Sequence, residues 1–155
     1  MVVDALDAKI VRFFTEQPRA SVLEASRTLG VARATVQSRL DRMTETGVIS
    51  SWVPLPDPAR FGFPVVAFCS LTINQDAGHD TVAGALAAIP EIIEVHTVSG
   101  SSDLMARVAA RSNPDLQRVL DAMIATRMVQ RASSVIVLNT HFQGRTLNLL
   151  EAAAK

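Results

Sequence analysis

The sequence predicts an α+β chain of two modules, a winged-type helix-turn-helix followed by a ferredoxin-like βαββαβ domain. Proline and glycine crowd residues 54–64, in a pattern that no helix interior tolerates. Before this stretch the apolar residues recur with the helical period, and after it strand-like and helical spacings alternate. We therefore expect a helix-turn-helix domain over residues 1–53, a linker over 54–64, a βαββαβ domain over 65–142 and a C-terminal helix over 143–155.

Composition excludes several classes of protein. Of the 155 residues, 48% are hydrophobic and 19% are charged, which is enough for a packed core and too apolar for a disordered chain. Fifteen basic side chains balance fifteen acidic ones, so binding of nucleic acid by bulk positive charge is excluded. A single cysteine, Cys69, excludes an intrachain disulfide framework and is predicted to be a buried structural thiol. We see no signal peptide and no apolar run near the ~20 residues that span a bilayer, and so expect a cytoplasmic protein with no membrane partner.

The first module is predicted to contain three short helices. Leu6, Ile10 and Phe13 lie on one face of the first helix. Residues 21–24, Ser-Val-Leu-Glu, fit a capping box that begins the second helix. Gly30 ends that helix, because glycine adopts the left-handed conformation freely.

The third helix starts after Ala32 and stops at Gly47, and residues 48–53 predict a short strand after it. In a helix-turn-helix this helix is the recognition helix, which enters the major groove of DNA. Its outer half carries small polar groups that can meet base edges, and Arg33 stands at its start, where amides and a cation can both bind phosphate. The inward residues are Val36, Leu40 and Met43, and the predicted DNA-binding residues are Arg33, Thr35, Gln37, Ser38, Arg39 and Arg42.

The second module alternates strands and helices in the order βαββαβ, which is typical of a four-stranded sheet with helices on one face. The first strand is apolar on both faces at residues 65–68, so a second molecule is expected to cover the face that the helices leave open. The predicted strands are 65–73, 92–99, 103–110 and 131–142, the predicted helices are 79–89 and 113–127, and residues 100–102 form a turn.

The ordered set of short motifs across both modules resembles the Lrp/AsnC, or feast/famine, family of bacterial and archaeal transcriptional regulators. The resemblance implies an N-terminal DNA-binding domain and a C-terminal ligand-sensing domain that forms homodimers, which often assemble into octamers. The matching stretches are LDAKI (6–10), TV (35–36), RL (39–40), GVI (47–49), LPDP (55–58), FG (61–62), PEI (90–92), VSGSSD (98–103), VQR (129–131) and VL (137–138).

The resemblance also implies a small-molecule effector, commonly an amino acid, bound near a Gly-x-x-Asp turn. Here that turn runs from Gly100 to Asp103, and Asp103 is expected to hold the ammonium group while free turn amides hold the carboxylate. Ser134 is expected to line the pocket, and its neighbour Ser133 then points to the opposite face of the strand. The predicted ligand-binding residues are Gly100, Ser101, Ser102, Asp103 and Ser134.

Two departures from the family pattern concern these sites. Ala32 stands where family members usually have a serine that caps the third helix. Ser102 stands where the family often has an aromatic residue, which implies a smaller and more polar pocket.

The leading hypothesis is a transcriptional regulator whose partners are double-stranded DNA, a small effector and a second copy of the chain. Seven basic and six acidic side chains precede residue 54, so charge supports DNA binding only weakly, and a solvated helix that binds nothing is the alternative. An architectural DNA-binding protein without an effector is a second alternative. A siroheme-decarboxylase-like enzyme is a third, and it would depend on His96, Arg107 and His141. We expect no enzyme activity, no catalytic residues, no metal site and no cofactor.

Overall fold

The computed structural model describes residues 3–154 and divides into two compact units. The first unit takes the chain up to Pro54 together with the stretch from His141 onward, and the second comprises Leu55–Thr140. Within the described residues, no helix is both long enough and apolar enough to cross a membrane.

The first unit is built on three helices, α1 (Ala5–Glu16), α2 (Val22–Leu29) and α3 (Arg33–Glu45). The predicted capping box is confirmed, because the Ser21 hydroxyl accepts from the Glu24 amide at 3.2 Å and the Glu24 carboxylate accepts from the Ser21 amide at 2.6 Å. Gly30 follows α2 with φ +67°, in the left-handed conformation that the sequence predicts. The helices enclose a common core that consists of Ile10, Phe13, Phe14, Ala25, Val36, Leu40 and Met43.

The strand predicted over residues 48–53 is wrong, because this segment is a turn followed by irregular chain. A strand needs a neighbour for its backbone hydrogen bonds, and here the Ile49 amide instead donates to the Met43 carbonyl at 3.0 Å. The segment is held by side chains. Trp52 packs edge-on against Phe14, with ring centroids 5.7 Å apart.

The second unit has the predicted βαββαβ order. Its sheet contains β1 (Val65–Ile73), β2 (Ile92–Thr97), β3 (Leu104–Ala110) and β4 (Val129–Ile136), arranged β2-β3-β1-β4 with every neighbouring pair antiparallel. Helices α4 (His79–Leu86) and α5 (Asn113–Ala125) pack on one face. We call this the inner face and the opposite one the outer face.

The last strand is shorter than predicted. Residues 131–142 have strand-like composition, but pairing with β1 ends with Ile136 opposite Ala67, and one further bond runs from the Val137 amide to the Val66 carbonyl. Beyond that bond only Val65 remains at this end of β1, and residues 138–142 form no strand. His141 therefore lies outside any strand, contrary to the prediction. A short helix near the C-terminus, α6 (Leu147–Ala153), belongs to the first unit, where Glu151 accepts from Arg12 Nε at 2.7 Å.

The two faces of β1 differ as the alternation predicts. Ala67, Cys69 and Leu71 are fully buried beneath the helices, which confirms Cys69 as a core thiol. Burial raises the pKa of this thiol to about 11. On the outer face, which no element of this unit covers, Phe68 is 44% exposed and its partner Val135 is 69% exposed.

Candidate DNA-binding and ligand-binding sites

The solvent-facing side of α3 is polar and small, as the sequence predicts. Gln37 and Ser38 are exposed beside Ala34, and Gln37 Nε2 donates to Asp41 Oδ1 at 2.7 Å. Val36, Leu40 and Met43 are buried, so the helix has a fixed inward side. The outer side presents an amide, hydroxyls and a carboxylate, which are the groups that hydrogen-bond to base edges in a major groove.

The N-terminus of α3 has no side-chain cap. Ala32 occupies the N-cap position and no side chain caps the helix, so the first amides lack the usual serine or threonine partner. The Arg33 side chain is exposed and makes no hydrogen bond or ion pair within residues 3–154. Free amides, the positive end of the helix dipole and an unpaired guanidinium are groups of the kind that bind phosphate.

Arg39 and Arg42 are held by acids of α1. Asp7 is fully buried, and its carboxylate accepts from Arg39 Nη1 at 3.0 Å and from Arg42 Nη2 at 2.7 and 2.8 Å. Arg39 also bonds to Asp4, the N-cap of α1, whose pKa it lowers. Arg42 is one of the predicted DNA-binding residues, and its guanidinium is bonded to an acid of the neighbouring helix. The guanidinium folds back across the helix pair, although the side chain remains 42% exposed.

Asp7 holds α3 against α1, a structural role that the sequence patterns did not reveal. It lies in the apolar stripe of α1, three residues before Ile10 and seven before Phe14, which are both buried. A carboxylate is rarely fully buried without a cationic partner. The position of Asp7 within the buried stripe therefore indicates that a cationic side chain from elsewhere in the fold contacts its carboxylate.

The Gly100–Asp103 turn is a tightly bonded hairpin connection. Gly100 has φ +118°, which few residues other than glycine adopt. The Asp103 carboxylate accepts from the Ile73 amide at 2.9 Å and from Gln75 Nε2 at 2.9 Å, and these bonds lower its pKa. The Asp103 carboxylate thus accepts the hydrogen bond of the last amide of β1, as a backbone carbonyl of a neighbouring strand would. Each of its two carboxylate oxygens therefore accepts a hydrogen bond from within the chain.

A cavity of about 270 Å³ opens on the outer face beside this turn. It is lined by Ser70, Thr72, Ser101, Ser102, Arg131 and Ser133. Two predicted ligand residues, Ser101 and Ser102, are part of this lining, whereas Gly100 and Asp103 are not.

The structure places Ser134 on the inner face, away from this cavity. It pairs with the buried Cys69, while Ser133 pairs with Ser70 on the outer face. Only one serine of the pair can line the cavity, as expected, but it is Ser133.

Of the three residues considered for an enzyme, two lie close together in the second unit. His96 and Arg107 lie on the outer face near Glu94, to which Arg107 Nη1 donates at 2.6 Å. His96 Nε2 lies 3.6 Å from the same carboxylate. His141 belongs to the other compact unit.

Known proteins resemble the chain along nearly its whole length. Residues 3–44 match the AsnC-type helix-turn-helix domain, and residues 66–147 match the Lrp/AsnC ligand binding domain. The HTH-type transcriptional regulator FL11 of Pyrococcus horikoshii is 30% identical over 90% of this chain and 91% of its own length. The HTH-type transcriptional regulator Rv2324 of Mycobacterium tuberculosis is 28% identical over 88% of this chain and 93% of its own.

Solved structures share the fold. Escherichia coli AsnC superimposes with a TM-score of 0.85 at 23% identity, covering 95% of this chain and 99% of that one. A feast or famine regulatory protein from M. tuberculosis, complexed with L-methionine, superimposes with a TM-score of 0.82 at 27% identity, covering 92% of this chain and 96% of that one.

Proposed function

Because this chain belongs to the Lrp/AsnC family of transcriptional regulators, we propose that it binds specific double-stranded DNA and that a small effector changes its DNA affinity or assembly. The observation that carries the proposal is the surface of α3. A polar outer side adjoins an uncapped helix start and an unpaired arginine, while the opposite side is fixed in the core.

Direct DNA contacts are assigned to the part of α3 that faces solvent. Gln37, Ser38 and Thr35 meet base edges, and Arg33 with the first amides of the helix binds phosphate. Arg39 and Arg42 serve chiefly to hold α3 against α1 through Asp7. In this proposal the uncharged side chains determine which DNA sequence is bound, and the ion pairs fix the orientation of α3 relative to α1.

The active form is a homodimer joined through the outer faces of two sheets. Phe68 of β1 and Val135 of the edge strand β4 form an exposed apolar pair on that face, and burial of such surface drives association. A dimer presents two copies of α3, which then contact half-sites one helical turn, ~34 Å, or a multiple apart. Further assembly into an octamer is the arrangement that the family resemblance suggests.

Amino acids are the first effectors to test. One relative of known structure is complexed with L-methionine, and so is a transcriptional regulator from Neisseria meningitidis with 22% identity. The small polar cavity on the outer face fits a ligand of this size. An effector bound there acts allosterically if it prefers one assembly of the chain over another.

A binding experiment with a matched control tests the DNA-binding part of the proposal. Preferred sequences are first selected from a random duplex pool, and affinities are then measured by fluorescence anisotropy. Gln37→Ala should weaken specific binding by ~1–3 kcal/mol, the value of a good base contact. Gln117→Ala is the control, since Gln117 on α5 makes the same kind of i,i+4 bond to Asp121, at 2.9 Å.

Two results would contradict the assignment. If no sequence is enriched over the starting pool, the chain is not a specific DNA-binding protein. If Gln37→Ala and Gln117→Ala both bind the selected sequence like wild type, α3 does not read the bases.

A further inference from the structure

We propose that the cavity on the outer face recognises its effector by the carboxylate, through Arg131, and does not require an amino group on the ligand. The ligand class is then a small organic monocarboxylate with a polar group next to the carboxylate, of which an amino acid is only one kind. This inference rests on the proposed function, because it concerns the effector of that same regulator.

The sheet register assembles the cavity wall. Arg131 pairs with Thr72, and Ser133 pairs with Ser70, on neighbouring antiparallel strands. Paired residues point to the same face, and residues two apart along a strand do so as well. The four side chains therefore form one block on the outer face, and Ser101 and Ser102 of the hairpin turn close one end of it.

Arg131 is the charged group of this block. Its guanidinium makes no hydrogen bond or ion pair within the described part of the chain, in contrast to Arg39, Arg42, Arg107 and Arg118, which all have acidic partners. A guanidinium presents five donors in a planar fork that matches a carboxylate bidentately. The Arg131 guanidinium is therefore free to bind a ligand carboxylate and has the shape to do so through two parallel hydrogen bonds.

The net charge of the lining favours a monoanion. The lining contains one cation and no acidic side chain. Asp103 of the adjoining turn has its carboxylate committed to the Ile73 amide and to Gln75. The lining offers no carboxylate as a counter-charge for the ammonium group of a zwitterion. A phosphate dianion would keep one negative charge uncompensated, which is costly in a partly enclosed site.

The rest of the lining is neutral and adaptable. Five of the six lining residues carry a hydroxyl, and a hydroxyl can donate or accept a hydrogen bond. An amino, hydroxy or oxo substituent beside the carboxylate therefore finds a partner equally well. The lining selects for the carboxylate and tolerates differences at the adjacent carbon.

Thermal unfolding of the full-length chain tests the inference with matched probes. The twenty amino acids, the corresponding 2-oxo acids and the corresponding amino-acid amides are added separately, with inorganic phosphate as a further anion. We expect at least one amino acid to raise the melting temperature, its 2-oxo acid to raise it to a similar extent, and its amide to have no effect. An amide that stabilises as much as its acid, phosphate that stabilises more than every carboxylate, or no response to any carboxylate would overturn the proposal.

Variants locate the site. Arg131→Gln should weaken binding of the responding carboxylate by roughly 10- to 150-fold, the effect of losing a hydrogen bond to a charged group. Arg131→Lys should lose less. Arg60→Gln removes an exposed arginine from the same compact unit and should bind like wild type. Equal affinity of Arg131→Gln and wild type would place the carboxylate elsewhere.

Failure of this inference is distinguishable from failure of the proposed function. DNA binding is measured on the same samples without any probe. A chain that selects a DNA sequence but responds to no carboxylate disproves the inference and leaves the regulator intact. A chain that selects no DNA sequence disproves the proposed function, whatever the melting curves show.

Discussion

Asp7 is a fully buried carboxylate that ties the recognition helix α3 to α1 through two guanidinium groups. Such a group is costly to bury alone but is satisfied here by three donors, since the Asp4 amide also bonds to it at 3.1 Å. Removing an acid of this kind leaves its cations without their counter-charge. The residue is therefore important for stability even though it touches no ligand.

Asp7→Ala should destabilise the first unit by about 3 kcal/mol, the lower end for breaking a buried ion pair, because Arg42 is partly solvated. The free energy of unfolding is measured by denaturant titration. Asp41→Ala on the exposed side of α3 is the control and should change stability by no more than about 0.5 kcal/mol. Similar losses in both variants would mean that Asp7 has no special structural role.

Asp103 makes stability depend on pH. Its pKa is lowered in the folded chain because the Ile73 amide and Gln75 donate to the carboxylate. A group of this kind stabilises the fold at pH values above its unfolded pKa of about 3.9, and the contribution is lost as the pH falls through the lower folded value. The melting temperature should therefore fall less between pH 5 and pH 2.5 in Asp103→Asn than in wild type. Parallel curves for the two proteins would show that these bonds contribute nothing.

At the scale of the element, α3 shows what a helical wheel can and cannot predict. The inward positions of Val36, Leu40 and Met43 are confirmed, because the period of 3.6 residues fixes which side chains face the core. The wheel does not show where a long side chain ends. Arg42 reaches an acid 35 residues earlier in the chain, and such long-range partners are set by tertiary packing.

The strand β4 illustrates the same limit for sheets. Strict alternation predicts that Ser133 and Ser134 point to opposite faces, and this is confirmed. The register with β1 decides which of them lines the cavity, and it also ends β4 at Ile136. Both facts depend on a strand more than fifty residues away, so local composition could not supply them.

The salt dependence of DNA binding should separate free from tethered arginines of α3. Arg33→Ala should reduce the slope of log affinity against log salt by about one, because one phosphate contact is lost. Arg39→Ala should leave the slope nearly unchanged and should lower the free energy of unfolding instead, since Arg39 bonds to Asp4 and Asp7. Anisotropy between 50 and 200 mM salt measures the first effect, and denaturant titration the second. An unchanged slope in Arg33→Ala would contradict the proposed phosphate site.

At the scale of the whole molecule, the two-part layout follows from sequence because the proline-rich stretch separates two different periodicities. The helix-turn-helix and the βαββαβ order are both confirmed. Quaternary structure is harder to predict from sequence, because an exposed apolar face indicates an interaction surface but does not specify the geometry of the interface.

A charge on the outer face should prevent the proposed dimer. Val135 is 69% exposed, so Val135→Glu should leave the fold intact but bury an unpaired carboxylate if a second copy covers the face. Sedimentation of the full chain at micromolar concentration should show a dimer or larger species for wild type and a monomer for the variant. Leu55→Glu, which alters another exposed leucine, is the control and should sediment like wild type. A dimeric Val135→Glu variant would exclude this face as the interface.

Trp52 gives the molecule a built-in optical reporter. It is the sole tryptophan of a chain that lacks tyrosine, and it packs on Phe14 in the same compact unit as the recognition helix. Fluorescence excited at long ultraviolet wavelengths therefore follows the helix-turn-helix alone, whereas far-ultraviolet circular dichroism follows both units. Heating curves that coincide would show that the two units melt as one, and curves that separate would show that each melts by itself. The same emission allows DNA binding to be followed in unlabelled protein, while an effector bound to the other unit changes it only if the two units are energetically coupled.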